Sequence, residues 1–444
     1  MLTSIGYHTF VKSKSLTQEE AGLLFKEFKK YRNNTQEICI MGPHRYEKDP
    51  FGRHFEIVYP KQYKGIQWKI RFSNRGFYVD GEFKPCSIQA IINPKVLIGE
   101  KSYIVAADAS YLKEVEKIFE QEAEKISPFL KGFNMYRLNR IDYCINFDVS
   151  ELKFEYPPEL TTELPKLIMN LIKCADIPDH FEKIYNEEYQ FYLKSKSVVI
   201  NCYWKHDDLS RNFSDCKDLE KSYNIIRFEV QFKYPKVFSV SNEIKNKRER
   251  QKSVLMKAIG KEGMGCFPEA RSGIDDKKQK CLSETFMNFA RLDEIAIMET
   301  MLSDEQCSKR IEDYFYKVIK EGNYYAFDAA KKVIESRVSK WEKVIRLETA
   351  LQLVCEYGSI AEAKKALQGE ELEEFRRSLR DLAGISINPV TIHKVWGIEY
   401  IPNLLDNYFL LCGEEQRKIQ EKIQDEQMLC DYIKDCRKRG VPWI

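Results

Sequence analysis

The segment 226–233 alternates apolar and polar residues without a break, and this pattern restricts the fold more than any other feature of the sequence. Successive side chains of a β-strand point to opposite faces, so the segment predicts a strand with one apolar and one polar face. The polar face carries four side chains: Arg227, Glu229, Gln231 and Lys233. Such a strand requires a sheet whose apolar face is covered by other elements.

Two earlier segments have the same two-faced character. The segment 137–147 predicts a strand that places Arg140 and Asp142 on its polar face. The segment 197–205 predicts a strand whose polar face carries two chemically active side chains: Tyr203 and Lys205. Further strands are predicted at 37–40, 54–59, 65–72, 87–92 and 189–194. The sequence therefore predicts an α+β fold built on an antiparallel sheet.

Helical periodicity defines the remaining parts of the chain. Apolar residues recur at helical spacing in 110–126 and 164–174, and both helices are predicted to cover one face of the sheet. We therefore expect an α+β domain over residues 1–240, with helices on one face of the antiparallel sheet. The segment 241–281 is rich in basic residues, glycine and charge and is expected to be a linker or loop. A mainly α-helical accessory or DNA-binding domain is predicted for 282–444.

The charge balance excludes one class of nucleic-acid binder. The chain has 71 Lys and Arg against 68 Asp and Glu, a formal net charge of +3, so it does not bind phosphates through bulk charge. Any contact with DNA must come from local placement. The strongest local candidate is a basic run that is expected to contact phosphates: Lys245, Lys247, Arg248, Arg250 and Lys252.

The amino end and the cysteines indicate the compartment. Residues 1–8 lack a basic start followed by an apolar stretch, and no apolar run approaches the roughly 18 residues of a membrane span. The 13 cysteines contain no C-x-x-C pair, which favours reduced thiols over zinc or disulfides. We expect a cytoplasmic protein without a membrane partner.

The polar faces of the three strands would hold a phosphodiester-transfer site if the strands are neighbours. Asp142 and Glu229 could hold a hard divalent cation, Mg²⁺ or Mn²⁺. Tyr203 is the predicted nucleophile, and ionising a phenol of pKa near 10 at pH 7 costs about 4 kcal/mol. Lys205 and Arg227 are placed to offset that cost and to stabilise charge on the phosphate.

A second interpretation of the same residues stays open. Half of any two-faced sheet is polar, and Arg and Glu neighbours on it are usually only a solvated surface.

Tyr192, on the polar face of the preceding strand, is the main rival nucleophile. His206 is a metal ligand, a base or merely a residue at the end of a strand. Arg140 is a supporting residue next to Asp142.

Three short motifs, in this order, resemble a known family. Arg140-Ile141-Asp142, Tyr203-Trp204-Lys205-His206 and Arg227-Phe228-Glu229 are similar to the motif set of filamentous-phage replication initiators of the gene II protein type and of the related plasmid replication initiation factors. The segments 65–70 and 93–99 extend the resemblance, which covers about residues 65 to 235.

The resemblance implies rolling-circle replication initiation. A tyrosine attacks one strand at the origin, becomes linked to the 5′ phosphate and frees a 3′ hydroxyl, and the protein later rejoins the strand. By position, Tyr203 is then the nucleophile, Lys205 its basic companion, and Asp142 and Glu229 the metal ligands. Gln89 stands where the family tends to have a further acid. The implied partners are origin DNA, single-stranded or supercoiled, and the host helicase and DNA polymerase in a bacterial cytoplasm.

Two features limit the chemistry, and two other functions remain as alternatives. The six histidines contain no His-hydrophobe-His spacing, so the metal would rest on carboxylates. The chain has no phosphate-binding loop of the G-x-x-x-x-G-K-[ST] type, which predicts no nucleotide cofactor. A relaxase-like mobilisation protein would use the same chemistry. A non-catalytic DNA-binding protein that controls replication would retain only the sheet.

Overall fold

The fold is described from a computed structural model, which covers residues 4–35, 39–41, 52–58, 65–79, 82–100, 102–185, 188–212, 216–260 and 295–413. Within these ranges ten strands form one sheet, in the order β2-β3-β4-β5-β1-β6-β10-β9-β8-β7. In this order, every two adjacent strands from β2 through β6 pair antiparallel, and so do every two adjacent strands from β10 through β7. The predicted α+β class, with a mainly helical C-terminal region, is confirmed.

The strands of the large sheet have the following bounds: β1 Ser4–Leu16, β2 Cys39–Met41, β3 Gly52–Val58, β4 Ile66–Val79, β5 Glu82–Ile92, β6 Arg137–Asp148, β7 Glu182–Tyr185, β8 Gln190–Lys194, β9 Val198–Trp204 and β10 Ile225–Phe232. A separate hairpin pairs β11 Tyr324–Tyr325 with β12 Tyr400–Ile401. The helices are α1 Gln18–Thr35, α2 Pro94–Leu97, α3 Leu112–Ile126, α4 Leu164–Lys173, α5 Lys205–Asn212, α6 Tyr234–Gly260, α7 Asp304–Val318, α8 Phe327–Arg337, α9 Trp341–Tyr357, α10 Ile360–Ala366 and α11 Gly369–Gly384.

Helix α3 packs an aromatic side chain against the apolar face of the sheet. The Phe119 ring lies 5.4 Å from Trp68 on β4, 5.2 Å from Phe133 and 5.6 Å from Tyr136, measured between ring centroids. All four side chains are at most 3% exposed. Large aromatic rings contribute much of the apolar area that a sheet can bury, so this cluster anchors α3 to β4.

The chain divides into two compact units whose limits differ from the predicted domains. The first comprises residues 1–146 and 179–314, and the second comprises 147–178 and 315–444. Helix α4 was predicted to cover the sheet, but it belongs to the second unit. The residues after it bond to that unit, because the Asp176 amide donates to Val318 O and the Cys174 carbonyl accepts from Ile360 N.

Three elements differ from their predicted form. Strand β1 was not predicted, because residues 1–8 were considered only as a possible targeting signal. Lys205 was predicted at the end of a strand but is the first residue of α5. Residues 241–260 were predicted as linker but continue α6 without interruption. The rest of the predicted linker, 261–281, lies outside the described residues.

A buried carboxylate joins three parts of the second unit. Asp176 is 2% exposed, and its Oδ2 atom lies 2.7 Å from Lys320 Nζ and 2.5 Å from Lys364 Nζ. Burial raises the pKa of Asp176, but the two ammonium groups outweigh burial and the net pKa is lowered. Asp176 therefore stays ionised and holds the residues after α4 against α10 and the end of α7.

No helix among the described residues has the length and apolar character needed to cross a membrane.

We predict that Phe119→Ala lowers the free energy of unfolding by about 3 to 5 kcal/mol, because it leaves a cavity between three buried rings. Phe129→Ala is the matched control, since the Phe129 side chain is 51% exposed and its loss should cost less than about 0.5 kcal/mol. Urea unfolding followed by circular dichroism measures both. Equal losses for the two variants would contradict the aromatic anchor.

Candidate active site

The sheet brings the three predicted strands together. β6, β10 and β9 are consecutive, and Tyr203 lies directly opposite Arg227 while Glu229 lies opposite Asn201. The Tyr203 hydroxyl donates a hydrogen bond to Glu229 Oε1 at 2.8 Å. The adjacency that the site requires, and that periodicity alone could not establish, is therefore present, and it places the phenol against a carboxylate.

Glu229 is ionised although it is largely buried. Its side chain is 13% exposed, and Oε1 lies 3.3 Å from His8 Nε2 and 3.6 Å from Arg227 Nη1. Burial raises the pKa of Glu229, but His8, Arg227 and Lys205 together outweigh burial, and the net pKa is below its ordinary value. An ionised carboxylate has only acceptor atoms, so Glu229 can accept a hydrogen bond from a neighbouring hydroxyl.

Tyr203 keeps its proton at neutral pH. Burial raises the pKa of its phenol well above 10, and the charge of Glu229 raises the pKa further, while Arg227 lowers it. A neutral phenol is a weak nucleophile, so it becomes reactive only if a base removes its proton during the attack. Glu229 is already within hydrogen-bond distance for that transfer.

Asp142 is held by Arg140 from the same strand. Arg140 Nε lies 2.8 Å from Oδ1, and Arg140 Nη2 lies 2.6 Å from Oδ2, so the guanidinium grips both oxygens. The Asp142 side chain is 2% exposed. Arg140 thus compensates a buried carboxylate, which is a larger role than the supporting one predicted for it.

His8 is the residue of the site that the sequence did not reveal. It lies on β1, where the register with β6 shifts between Tyr7 and Thr9. Such a β-bulge changes the direction of a side chain. His8 Nε2 lies 3.3 Å from Glu229 Oε1, and its Nδ1 lies 4.0 Å from Asp142 Oδ2. The imidazole therefore lies between the two carboxylates.

The electrostatics of His8 keep it neutral. Burial lowers the pKa of His8, and Arg227 and Lys205 add to that effect, against the opposing charges of Glu229 and Asp142. Its Nδ1 atom is buried and has no hydrogen-bond partner. The sequence did contain a signal for this strand, a run rich in β-branched and aromatic residues at 5–11, but one bulge is enough to hide the face on which His8 lies.

Arg227 is rigidly oriented beneath Tyr203 and Glu229. Its Nε donates to Asn146 Oδ1 at 2.6 Å, and its Nη2 donates to the Tyr103 carbonyl at 2.7 Å. It is 2% exposed. Two fixed hydrogen bonds leave the guanidinium little freedom, so its charge is preorganised beside the phenol.

Lys205 approaches Tyr203 from the start of α5. Its Nζ lies 5.5 Å from the centre of the Tyr203 ring and 2.6 Å from Asp208 Oδ2. Burial lowers the pKa of Lys205, and Arg227 adds to that effect, while Asp208 raises it. Asp208, which sequence reasoning did not single out, thus keeps a cation beside the ring.

Two predicted residues lie at the margin of this cluster. His206 packs against Trp204 and Tyr223, with ring centroids 5.2 and 5.0 Å away, and its Nδ1 lies 3.0 Å from the Leu219 carbonyl oxygen. These contacts fit the end-of-strand interpretation of His206. Tyr192 lies on β8, opposite Asn201 of β9. Its phenol is close enough to affect the pKa of Arg140.

The predicted basic run lies on helix α6 rather than in a loop. Lys245, Lys247 and Arg250 are exposed, and Arg248 is half-buried. Lys252 lies on the same helix. A helix spaces these side chains at fixed angles, so only some of them can contact one ligand.

The donor atoms of the site suit a divalent cation, although guanidinium groups now hold the carboxylates. In the part of the chain that the structure describes, no three His, Cys, Asp or Glu side chains are arranged to hold a metal ion. Asp142 Oδ2 nevertheless lies 4.0 Å from the unpartnered Nδ1 of His8, and Glu229 Oε1 lies 3.3 Å from the other ring nitrogen, Nε2. Oxygen donors with one imidazole are the ligand types that Mn²⁺ accepts.

Comparisons with known proteins give little further information. The sequence matches no protein-family model and no curated protein. Among solved structures, the chain is similar to a rolling circle replication initiator protein from Geobacillus stearothermophilus. The similarity covers 55% of this chain and 80% of that chain, with 10% sequence identity and a TM-score of 0.25. A similarity this low assigns no function.

We predict that Glu229→Gln is less stable than the wild type at pH 7 and that this difference shrinks in acid. The folded-state pKa of Glu229 is lowered, so its charge contributes stability that is full above the ordinary pKa of 4.5 and is lost as the pH falls below it. Urea unfolding at pH 7 and at pH 3.5 measures the change. Glu114→Gln, an exposed change on α3, is the control and should alter stability little at either pH.

Proposed function

We propose that the chain initiates rolling-circle DNA replication by nicking and later rejoining one strand through Tyr203. One observation carries the proposal: the Tyr203 hydroxyl donates to the ionised Glu229 inside a cluster of buried charges. A nucleophile bonded to its base and flanked by fixed cations is the arrangement that covalent catalysis requires. A sheet surface without a catalytic role has no need for such costly burial of charge.

Nicking is a displacement at phosphorus. The Tyr203 oxygen forms a bond to the scissile phosphorus, and the bond from phosphorus to the 3′-oxygen breaks. The phenolic proton passes to Glu229, and the departing 3′-oxygen takes up a proton from solvent. The products are a 5′-phosphotyrosine and a free 3′ hydroxyl, the primer that a host DNA polymerase extends.

The cations of the site act on the charge that develops in this step. Arg227 and Lys205 lie beside the Tyr203 ring, where they stabilise negative charge on the attacking oxygen and on the phosphate. Arg140 donates to both oxygens of Asp142 and so fixes that carboxylate in place. Because Arg227 is already held by Asn146 and Tyr103, little reorganisation is needed when the phosphate arrives.

A divalent cation completes the proposal. Asp142, Glu229 and His8 would hold Mg²⁺ or Mn²⁺, which when bound polarises a phosphate oxygen. Their donor set and the unpartnered Nδ1 of His8 support this assignment. His8 is thereby assigned the role of third ligand, for which the sequence alone offered His206 as the candidate histidine.

Rejoining follows from the same intermediate. The phosphotyrosine keeps a phosphoester bond of the kind that was broken, so a 3′ hydroxyl can attack it without a nucleotide cofactor. Tyr203 then leaves and recovers its proton from Glu229, while the attacking 3′ hydroxyl releases its proton to solvent. The proposed partners are origin DNA, single-stranded or supercoiled, with the host helicase and polymerase acting on the exposed strand. The basic residues of α6 would contact phosphates.

We predict that the full-length protein, incubated in Mn²⁺ with labelled DNA of the replicon that encodes it, forms a covalent adduct on the 5′ side of the nick. Chelator and Tyr203→Phe should each abolish the adduct, because the first removes the cation and the second removes the nucleophile. Denaturing gel electrophoresis measures it. Tyr192→Phe is the matched control and should retain the adduct.

Two results would contradict these assignments. An adduct that survives Tyr203→Phe but disappears with Tyr192→Phe would transfer the role of nucleophile to Tyr192. A wild-type protein that never forms an adduct, with either single-stranded or supercoiled DNA, would instead support a non-catalytic DNA-binding role.

We predict that His8→Ala weakens Mn²⁺ binding by at least about tenfold, because it removes one donor and leaves the two carboxylates. Titration of free Mn²⁺ by electron paramagnetic resonance measures this without DNA. His206→Gln is the control, since His206 packs among aromatic rings, and it should leave Mn²⁺ affinity unchanged. Equal affinity for His8→Ala and wild type would exclude His8 as a ligand.

A further inference from the structure

A groove in the first compact unit combines aromatic rings with cations. It has a volume of about 230 Å³ and lies between helix α6, the residues before and at the start of β6, and residues 295–298. Tyr234 and Phe238 lie one helical turn apart on α6, with ring centroids 5.9 Å apart and planes tilted by 31°. Their side chains are 50% and 53% exposed, so their faces are available to a ligand.

The charge of the groove has one sign. Its lining includes three cations: Lys12, Arg137 and Lys245. Among the residues that the structure describes, none that lines it is acidic. Lys245 follows the two rings on one face of α6, since residues spaced by three, four or seven share a helical face. The groove therefore attracts an anionic ligand while offering flat apolar surfaces.

We propose that this groove binds single-stranded DNA, with unpaired bases stacked on Tyr234 and Phe238 and the phosphates paired with Arg137 and Lys245. Aromatic rings flanked by cations are how proteins bind single strands without reading sequence. The volume is below the roughly 300 to 1,000 Å³ of pockets that enclose drug-sized ligands, and it suits flat rings that enter one at a time.

A single strand fits these groups better than a duplex does. Bases in a duplex are already stacked on each other, so they cannot lie on protein rings unless the duplex opens. The inference rests on the proposed function in taking DNA as the anion, because strand displacement exposes unpaired bases. It adds a binding surface distinct from the Tyr203 site and selects Lys245 from the basic run as the residue that faces the groove.

The test measures binding without cleavage. The full-length Tyr203→Phe protein, in chelator, is titrated into fluorescein-labelled oligothymidylate and into a duplex of equal length, and anisotropy gives the two affinities. We expect Tyr234→Ala and Phe238→Ala each to weaken oligothymidylate binding about tenfold, the scale of one stacked base. Duplex binding should change less than twofold. Tyr234→Phe keeps the ring and should bind as the parent protein does.

Salt dependence separates the rings from the cations. Lys245→Ala should lower the slope of log affinity against log salt by about 0.7, the value for one phosphate contact on a single strand. The two aromatic variants should leave that slope unchanged. Trp341→Ala, an exposed ring of the second compact unit, is the control for loss of an aromatic surface. Thermal unfolding confirms that each variant is folded.

Two outcomes would overturn the proposal. Folded Tyr234→Ala and Phe238→Ala proteins that bind oligothymidylate like the parent would show that the groove takes another partner, such as an acidic peptide. Equal losses on single strand and duplex would show backbone contact without base stacking. Failure of the proposed nicking activity is a separate result, because a wild-type protein without a Tyr203 adduct could still bind through the groove.

Discussion

The buried pairing of two carboxylates with two arginines is the constraint on which the site depends. Asp142 and Glu229 leave water when the sheet forms, and an unpaired buried carboxylate would cost several kcal/mol. Arg140 compensates the first through two hydrogen bonds, while Arg227 lies beside the second. Because all four residues belong to adjacent strands β6 and β10, the register of the sheet itself sets the geometry of the charges.

This arrangement reconciles the burial of Tyr203 with the role of nucleophile proposed for it. Burial alone makes Tyr203 harder to ionise, which opposes nucleophilic attack. The hydrogen bond to Glu229 provides a proton acceptor at 2.8 Å, so no phenolate has to exist before the phosphate is bound. Arg227 and Lys205 act only on charge that develops later. A free phenolate of ordinary pKa would already cost about 4 kcal/mol at pH 7, and burial of Tyr203 adds to that cost, so the proton has to leave as the bond to phosphorus forms.

The sequence predicted the parts of the fold that follow from periodicity. Alternation in 226–233 predicted β10 and the face that carries Glu229, and the same argument predicted the faces of β6 and β9 that carry Asp142 and Tyr203. Periodicity could not place His8 in the site, because a bulge changes the face on which a residue lies without changing the sequence pattern around it. It also assigned α4 to the sheet, since an apolar helical stripe shows that a helix is buried but not which unit buries it.

The proposed rejoining of the strand places a further demand on Glu229, the proposed base. A phenol of raised pKa gives a strong nucleophile once it is deprotonated, but the same phenolate is a poor leaving group when the strand is rejoined. The proton must therefore return to the Tyr203 oxygen as the phosphotyrosine bond breaks, and by microscopic reversibility the group that removed it must deliver it. Glu229 can do both only if it remains beside the oxygen throughout. Its contacts with Arg227 and His8, together with its place opposite Asn201 in the ladder, hold it there.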